Sequence, residues 1–142
     1  MGQVLWFFIG CENIMTVLLW CLFGATLLVY LSKIPMNYLT VKQQKFDNHQ
    51  PRLQQQTLTG KGHRAWAAHQ NTLEAYPMFV AGVLVAQTAG SDLFWSSVLA
   101  ICFLIARICY IVFYLADLAF LRSFSWGMGY LAVLGLMLSP LL

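Results

Sequence analysis

The fold is decided by the stretch RAWAAHQNTLEAYP, residues 64–77, which leads straight into the apolar run 75–90. This stretch places Arg64, His69, Asn71 and Glu74 close together at the start of a long hydrophobic segment. A carboxylate that enters a bilayer with a helix costs roughly 2.5 to 3.5 kcal/mol on insertion scales. Glu74 therefore needs a partner or a ligand, and identifying it is the route to function.

The composition excludes a soluble domain. The chain has 142 residues, of which 60% are hydrophobic and only 9% charged, whereas soluble domains carry about 25% charged residues. A membrane-spanning helix needs about 20 mostly apolar residues. We therefore predict a single domain, 1–142, that is an all-α integral membrane protein with a bundle of four transmembrane helices. The spans are predicted at about 5–34, 63–89, 92–118 and 123–141, with a polar loop at about 35–62 that has room for a short helix.

The N-terminus allows two interpretations. Residues 4–10 are apolar, but Glu12 and Asn13 interrupt the run. Either the first helix is long and begins near Val4, or translation begins at Met15. No Lys or Arg precedes the apolar run and no small-residue cleavage site follows it, so we do not expect a cleaved signal peptide.

The basic residues predict the orientation in the membrane. Most of them lie in or beside the first connection: Lys33, Lys42, Lys45, Arg52, Lys61 and Arg64. Arg122 lies in the third connection, and the second has no Lys or Arg. The positive-inside rule then places the large loop in the cytoplasm and both termini outside, and we expect a multi-pass integral membrane protein. This orientation accounts for the net charge of +3, so no nucleic-acid partner is expected.

Two predicted helices carry polar faces that should meet. Asn71 lies seven residues after Arg64, so the two share a helical face, and Glu74 lies about 60° round from Asn71. On the third span, Arg107, Tyr110 and Tyr114 follow the i, i+3, i+7 pattern of one face. We predict that Glu74 and Arg107 form a buried ion pair. The pair either ties the second and third helices together or also forms a wall of a polar pocket.

The sequence leads to separate predictions for the other polar residues. His69 points about 160° away from Asn71 and is not part of that face. Arg122 and Ser123 lie where the fourth helix begins, which favours an anion site, although a positive-inside arginine that binds lipid phosphate is the alternative. The histidines His49, His63 and His69 share no metal-ligand spacing, so no metal site is expected.

Together these residues resemble the MAPEG superfamily, the membrane-associated proteins of eicosanoid and glutathione metabolism. The resemblance runs from about Met15 to the C-terminus, and residues 46–52, FDNHQPR, resemble the loop of bacterial members. It implies a location in a bacterial inner membrane and a homotrimer that binds glutathione between adjacent subunits. Carried over residue by residue, it makes Arg122 and Ser123 catalytic and assigns glutathione binding to Arg64, Asn71, Glu74, Arg107, Tyr110 and Tyr114.

The resemblance implies a glutathione-dependent membrane transferase or peroxidase that acts on small lipophilic electrophiles, with glutathione as cosubstrate. Arg122 would stabilise the glutathione thiolate. The chain departs from the family pattern at Ala67 and Gln70, where family enzymes carry arginines that contact glutathione carboxylates. These two positions favour the alternative, a non-catalytic protein that binds or presents membrane lipids. A small transporter or channel is a weaker third possibility, since no repeat of broken helices is present.

Overall fold

The computed structural model describes residues 17–141, which form five α-helices and a short 3-10 helix. The elements are α1 (Val17–Gln43), α2 (Pro51–Gln56), α3 (Gly60–Thr88), α4 (Leu93–Leu115), α5 (Ala119–Leu138) and the 3-10 helix Ser139–Leu141. The predicted start of the first helix near Val4 and the alternative start at Met15 lie outside the described residues.

Within the described residues, three helical segments are long and apolar enough to cross a membrane: Val17–Gln43, Leu93–Leu115 and Ala119–Leu141. At about 1.5 Å per residue, the 29-residue α3 is also long enough. Its first half carries the polar residues Arg64, Asn71 and Glu74, which lower its hydropathy. Four spans were predicted. Three are supported by length and composition, and the membrane position of α3 stays a prediction.

The four long helices pack as a bundle in which α1 lies against α3, and α4 lies against α5. The main core draws on all four helices, with Leu18, Phe79, Phe103 and Leu136 almost fully buried. The rings of Phe79 and Phe103 stack with centroids 4.0 Å apart. Gly82 lets α3 approach α5, because a Cβ there would lie 3.1 Å from the Cβ of Leu136.

The polar loop is shorter than predicted. Residues 35–62 were expected to be loop, but α1 continues through Pro35 to Gln43. Two residues beyond the proline are buried: Met36, which packs with Leu58 and Ala65 in a second small cluster, and Thr40. Packing of this last part of α1 against the loop and α3 outweighs the hydrogen bond that the proline removes. The loop then contains the short helix α2.

Arg107 is the buried cation of the bundle, but it does not form the predicted ion pair with Glu74. Its side chain is 2% exposed, and its Nη2 donates to Thr72 Oγ1 at 3.3 Å. Its guanidinium lies 4.3 Å from the centroid of the Tyr110 ring. The only ion pair within residues 17–141 joins Arg64 to Asp117. The prediction was wrong because Thr72 points at α4 while Glu74 lies exposed on the outer side of α3.

The contact between Thr72 and Arg107 can be tested by substitution. Thr72→Val keeps the side-chain shape and removes the acceptor oxygen. We expect the free energy of unfolding in a denaturing detergent to fall by about 1 to 3 kcal/mol, because a buried charged donor loses its partner. Thr88→Val is the matched control, since Thr88 also donates to the carbonyl four residues earlier in α3 but is exposed. Equal losses in the two variants would contradict a stabilising role for the Arg107 contact.

Candidate functional site

A crevice of about 250 Å³ opens at the end of the bundle where α4 turns into α5. Its walls come from three helices: α3 provides Asn71, α4 provides Tyr110 and Tyr114, and α5 provides Arg122, Ser123 and Trp126. The tertiary structure therefore brings together five of the eight predicted site residues. We call this space the polar crevice.

Arg122 is held in the first turn of α5. Its amide donates to the carbonyl of Leu118 at 2.9 Å, which places the side chain over α4. The guanidinium lies 4.6 Å from the centroid of the Tyr114 ring, a cation–π contact. Arg122 forms no ion pair with any carboxylate among residues 17–141. A positive charge that is positioned by an aromatic ring and has no anionic partner in the protomer is suited to binding an anion.

Asn71 forms the opposite wall of the polar crevice. Its Nδ2 donates to Glu74 Oε2 at 3.3 Å, so the amide orients the carboxylate. Its Oδ1 is buried and accepts no hydrogen bond within the described part of the chain. Buried polar atoms are nearly always satisfied in native structures. This oxygen is therefore placed to accept a hydrogen bond from a ligand or from another subunit.

A second, more apolar cavity of about 220 Å³ adjoins the polar crevice, and the two share Asn71 and Trp126. Glu74 and Arg107 lie at its polar side, and its remaining lining is largely apolar: Ala75, Met78, Phe103, Gly129, Tyr130 and Val133. The predicted partners Glu74 and Arg107 thus face one cavity without pairing. The Nε of Arg107 is buried and has no hydrogen-bond partner in the described residues.

Sequence reasoning missed two aromatic residues of the site, Trp126 and Tyr130. Their rings stack in parallel with centroids 5.6 Å apart along the cavity. A signal for them was present, because Arg122, Trp126 and Tyr130 follow one another at four-residue spacing and so share one helical face.

Arg64 is the predicted site residue that the structure places elsewhere. Its Nη1 lies 3.2 Å from Oδ2 of Asp117, in the connection between α4 and α5. Asp117 has a positive φ of 65°, a conformation that Asp tolerates better than most residues. Arg64 therefore lines neither the polar crevice nor the apolar cavity. The ion pair links α3 to the connection between α4 and α5, which directly precedes the helix that carries Arg122.

His69 faces away from the site, as its angular position predicts. Its Nδ1 lies 2.9 Å from the hydroxyl of Ser32 on α1, and both side chains are buried. The histidine thus ties α3 to α1, on the side of α3 opposite Asn71. This contact separates the polar crevice from the α1 side of the bundle.

Comparison with known protein families gives a match. The sequence model of the MAPEG family matches residues 17–142, which is most of the chain. No curated protein and no solved structure gives a significant match. The match includes every residue of the polar crevice and of the adjoining cavity, and the chain therefore belongs to the MAPEG family.

Proposed function

We propose that this protein is a glutathione-dependent membrane transferase or peroxidase that acts on lipophilic electrophiles. The observation that carries the proposal is the convergence of Asn71, Tyr110, Tyr114, Arg122 and Ser123 on one crevice. Membership of the MAPEG family is consistent with a glutathione-related function in a membrane. The polar crevice would hold glutathione, and the adjoining apolar cavity would hold the second substrate.

The chemistry needs a thiolate, because a free thiol has a pKa of about 8.5 and only the thiolate is a good nucleophile. The guanidinium of Arg122 would stabilise the sulfur anion by a charge-assisted hydrogen bond. Ser123, adjacent in the first turn of α5, is a second donor at the same wall. In a conjugation, the sulfur would form a bond to the electrophilic carbon, and the leaving group would depart with the bonding electrons.

The remaining polar atoms suit the two ends of a zwitterionic tripeptide. Among the described residues the Glu74 carboxylate receives a single hydrogen bond, from Asn71, and it has capacity to accept from an ammonium group. In the same region, Asn71 Oδ1 is an acceptor and Arg107 Nε a donor without a hydrogen-bond partner within residues 17–141. These three groups support glutathione as the ligand, with its backbone along α3 and its sulfur toward Arg122.

We further propose a homotrimer in which a neighbouring subunit covers this face. Glu74 is exposed on the protomer, halfway along α3. A carboxylate directed at lipid is costly, and a second copy would remove it from the acyl chains. The same arrangement would place the site between subunits. The basic first connection supports a cytoplasmic position for the loop and for the polar crevice.

A non-catalytic lipid-binding protein of the same fold is the second candidate. It is favoured by the uncharged Ala67 and Gln70 on α3, and by the apolar lining of the cavity beside Glu74. Such a protein would bind a membrane lipid in the apolar cavity and would not need Arg122 to stabilise a thiolate.

Catalysis by Arg122 can be tested with an aryl halide and glutathione on the detergent-solubilised protein. We expect Arg122→Ala to lower kcat about 10- to 100-fold, because a hydrogen bond to a charged group contributes about 1.5 to 3 kcal/mol. Glu74→Gln is expected to act mainly by raising KM for glutathione. Lys45→Ala, an exposed cation outside the site, is the control. Full activity in Arg122→Ala would overturn the thiolate role.

Ligand-induced stabilisation separates the two candidate functions. A ligand at 100 times its Kd stabilises the native state by about 2.7 kcal/mol. We therefore expect saturating glutathione to raise the Tm of the purified protein, and Asn71→Ala to reduce this shift. A shift with fatty acids or phospholipids, together with none with glutathione, would favour the lipid-binding protein.

The trimer is tested by the mass of the complex in native mass spectrometry. We expect three copies of the 16.1 kDa chain. Glu74→Lys should weaken the assembly, because it places a cation at the face that the neighbour covers, whereas Lys45→Ala should leave it intact. A monomer in mild detergent, with glutathione still bound, would contradict the trimer and leave the site within one subunit.

A further inference from the structure

The connection between α4 and α5, residues 116–118, determines where Arg122 lies. Tyr114 comes just before the connection in α4, and Arg122 comes just after it in α5. The cation–π contact between these two side chains, with 4.6 Å from the guanidinium to the ring centroid, therefore spans the connection. A change in the direction of α5 relative to α4 would change that distance and the shape of the polar crevice.

The connection ends α4 with a Schellman motif. The amide of Leu118 donates to the carbonyl of Phe113 at 2.9 Å, and the amide of Asp117 donates to the carbonyl of Tyr114 at 3.3 Å. This motif needs a left-handed residue at the position of Asp117, where φ is 65°. The carbonyl of Leu118 then accepts from the amide of Arg122 at 2.9 Å, so the motif leads directly into α5.

Asp117 is an unfavourable residue for this position on local grounds. Glycine is the usual residue there, because it adopts the left-handed conformation without a Cβ clash, and asparagine is the next choice. A carboxylate at this end of a helix also lies near the negative end of the helix dipole. Residues that oppose local preference are typical of positions where function or a more distant contact compensates. The carboxylate of Asp117 therefore points to an interaction outside the connection.

Arg64 of α3 supplies that interaction. Its Nη1 lies 3.2 Å from Oδ2 of Asp117, with the arginine side chain 29% exposed and the carboxylate side chain 70% exposed. An ion pair as exposed as this contributes little to the free energy of unfolding. The end of α4 is already held by Leu115, which packs against the small cluster that contains Ala65. The ion pair thus constrains the residues that follow Leu115 more than it holds α4 in place.

We propose that Arg64 and Asp117 are positioning residues for the reaction at the polar crevice. The pair ties the connection to α3, the helix that carries Asn71, and so keeps Arg122 at a fixed distance from the opposite wall. Arg64 acts through Asp117 and not on the ligand, because it lines neither the polar crevice nor the apolar cavity. This inference rests on the proposed glutathione-dependent function, in which Arg122 stabilises the thiolate.

Steady-state kinetics with glutathione and an aryl halide test the proposal. Asp117→Asn removes the carboxylate and keeps a residue that tolerates the left-handed conformation, and Arg64→Gln removes the cation. We expect each variant to lower kcat about 3- to 10-fold with nearly unchanged KM for glutathione. The double variant should lose no more than either single variant, because both residues act through one contact.

Two further variants separate positioning from a general loss of charge. Arg64→Lys keeps a cation that can reach the carboxylate, so it should recover part of kcat. Lys61→Gln removes an exposed cation three residues earlier in α3 and is the matched control, with kcat expected to stay unchanged. The Tm should change little in all of these variants, because the ion pair is exposed.

Hydrogen–deuterium exchange gives a readout that needs no turnover. We expect Asp117→Asn to speed amide exchange in residues 116–122 several-fold and to leave exchange in the rest of α4 unchanged. In the unmodified protein, about 1 M sodium chloride should have the same effect, because the screening length falls to about 3 Å. The salt should add little in Asp117→Asn. The salt experiment uses the unmodified protein, so it remains decisive if a variant fails to fold.

Three results would overturn the proposal. Unchanged kcat and unchanged exchange in both single variants would mean that Leu115 and the Schellman motif are enough to position Arg122. Additive losses in the double variant would mean that the two residues act separately. A rise in KM confined to Arg64→Gln would make Arg64 a contact of glutathione. No turnover by the unmodified protein would instead contradict the proposed function, and the exchange experiment would then decide whether the pair fixes the connection.

Discussion

The arrangement of the bundle depends on the buried guanidinium of Arg107. Removing a cation from water costs several kcal/mol, so its surroundings must compensate. Thr72 accepts a hydrogen bond from it and the Tyr110 ring covers it. Gly129 of α5 lies beside it, and a Cβ added there would be in ordinary van der Waals contact with Arg107 Cδ at 3.7 Å. Arg107 of α4 therefore contacts α3 through Thr72 and lies beside α5 at Gly129, so one side chain links the three helices that form the polar crevice.

Helix α3 divides the bundle into two regions with different chemistry. On one side, Asn71 and Glu74 face the crevice and the cavity that we assign to glutathione and a lipophilic substrate. On the other, His69 contacts Ser32 of α1, and Gln70 lines a crevice between α1, α2 and α3 that also contains Lys33 and Arg52. A helix with polar groups on both sides has lower hydropathy than its neighbours. The polar residues that lower the hydropathy of α3 are thus also the residues that it contributes to the spaces on its two sides.

Several features of the site could be predicted within single helices, because residue spacing determines which side chains share a helical face. Tyr110 and Tyr114 share a face, His69 points away from Asn71, and Arg122 lies at a helix start, all as spacing indicates. The pairing of charges across helices could not be predicted in this way. Glu74 and Arg107 were predicted to form an ion pair. Instead, the rotation of α3 directs Thr72 toward Arg107, which donates a hydrogen bond to it, and Arg64 forms an ion pair with Asp117.

The sequence by itself determined the helical character, the polar segment at the start of α3 and the family resemblance, because composition and periodicity act within one segment. Only the tertiary structure decided which polar groups meet. It extended α1 through Pro35, because buried Met36 and Thr40 pack there. It also placed Arg122 over Tyr114 and left Asn71 Oδ1 and Arg107 Nε without hydrogen-bond partners in the part of the chain that the structure describes. The physical reason is that partner choice depends on the rotation and spacing of packed helices, which many distant contacts set together.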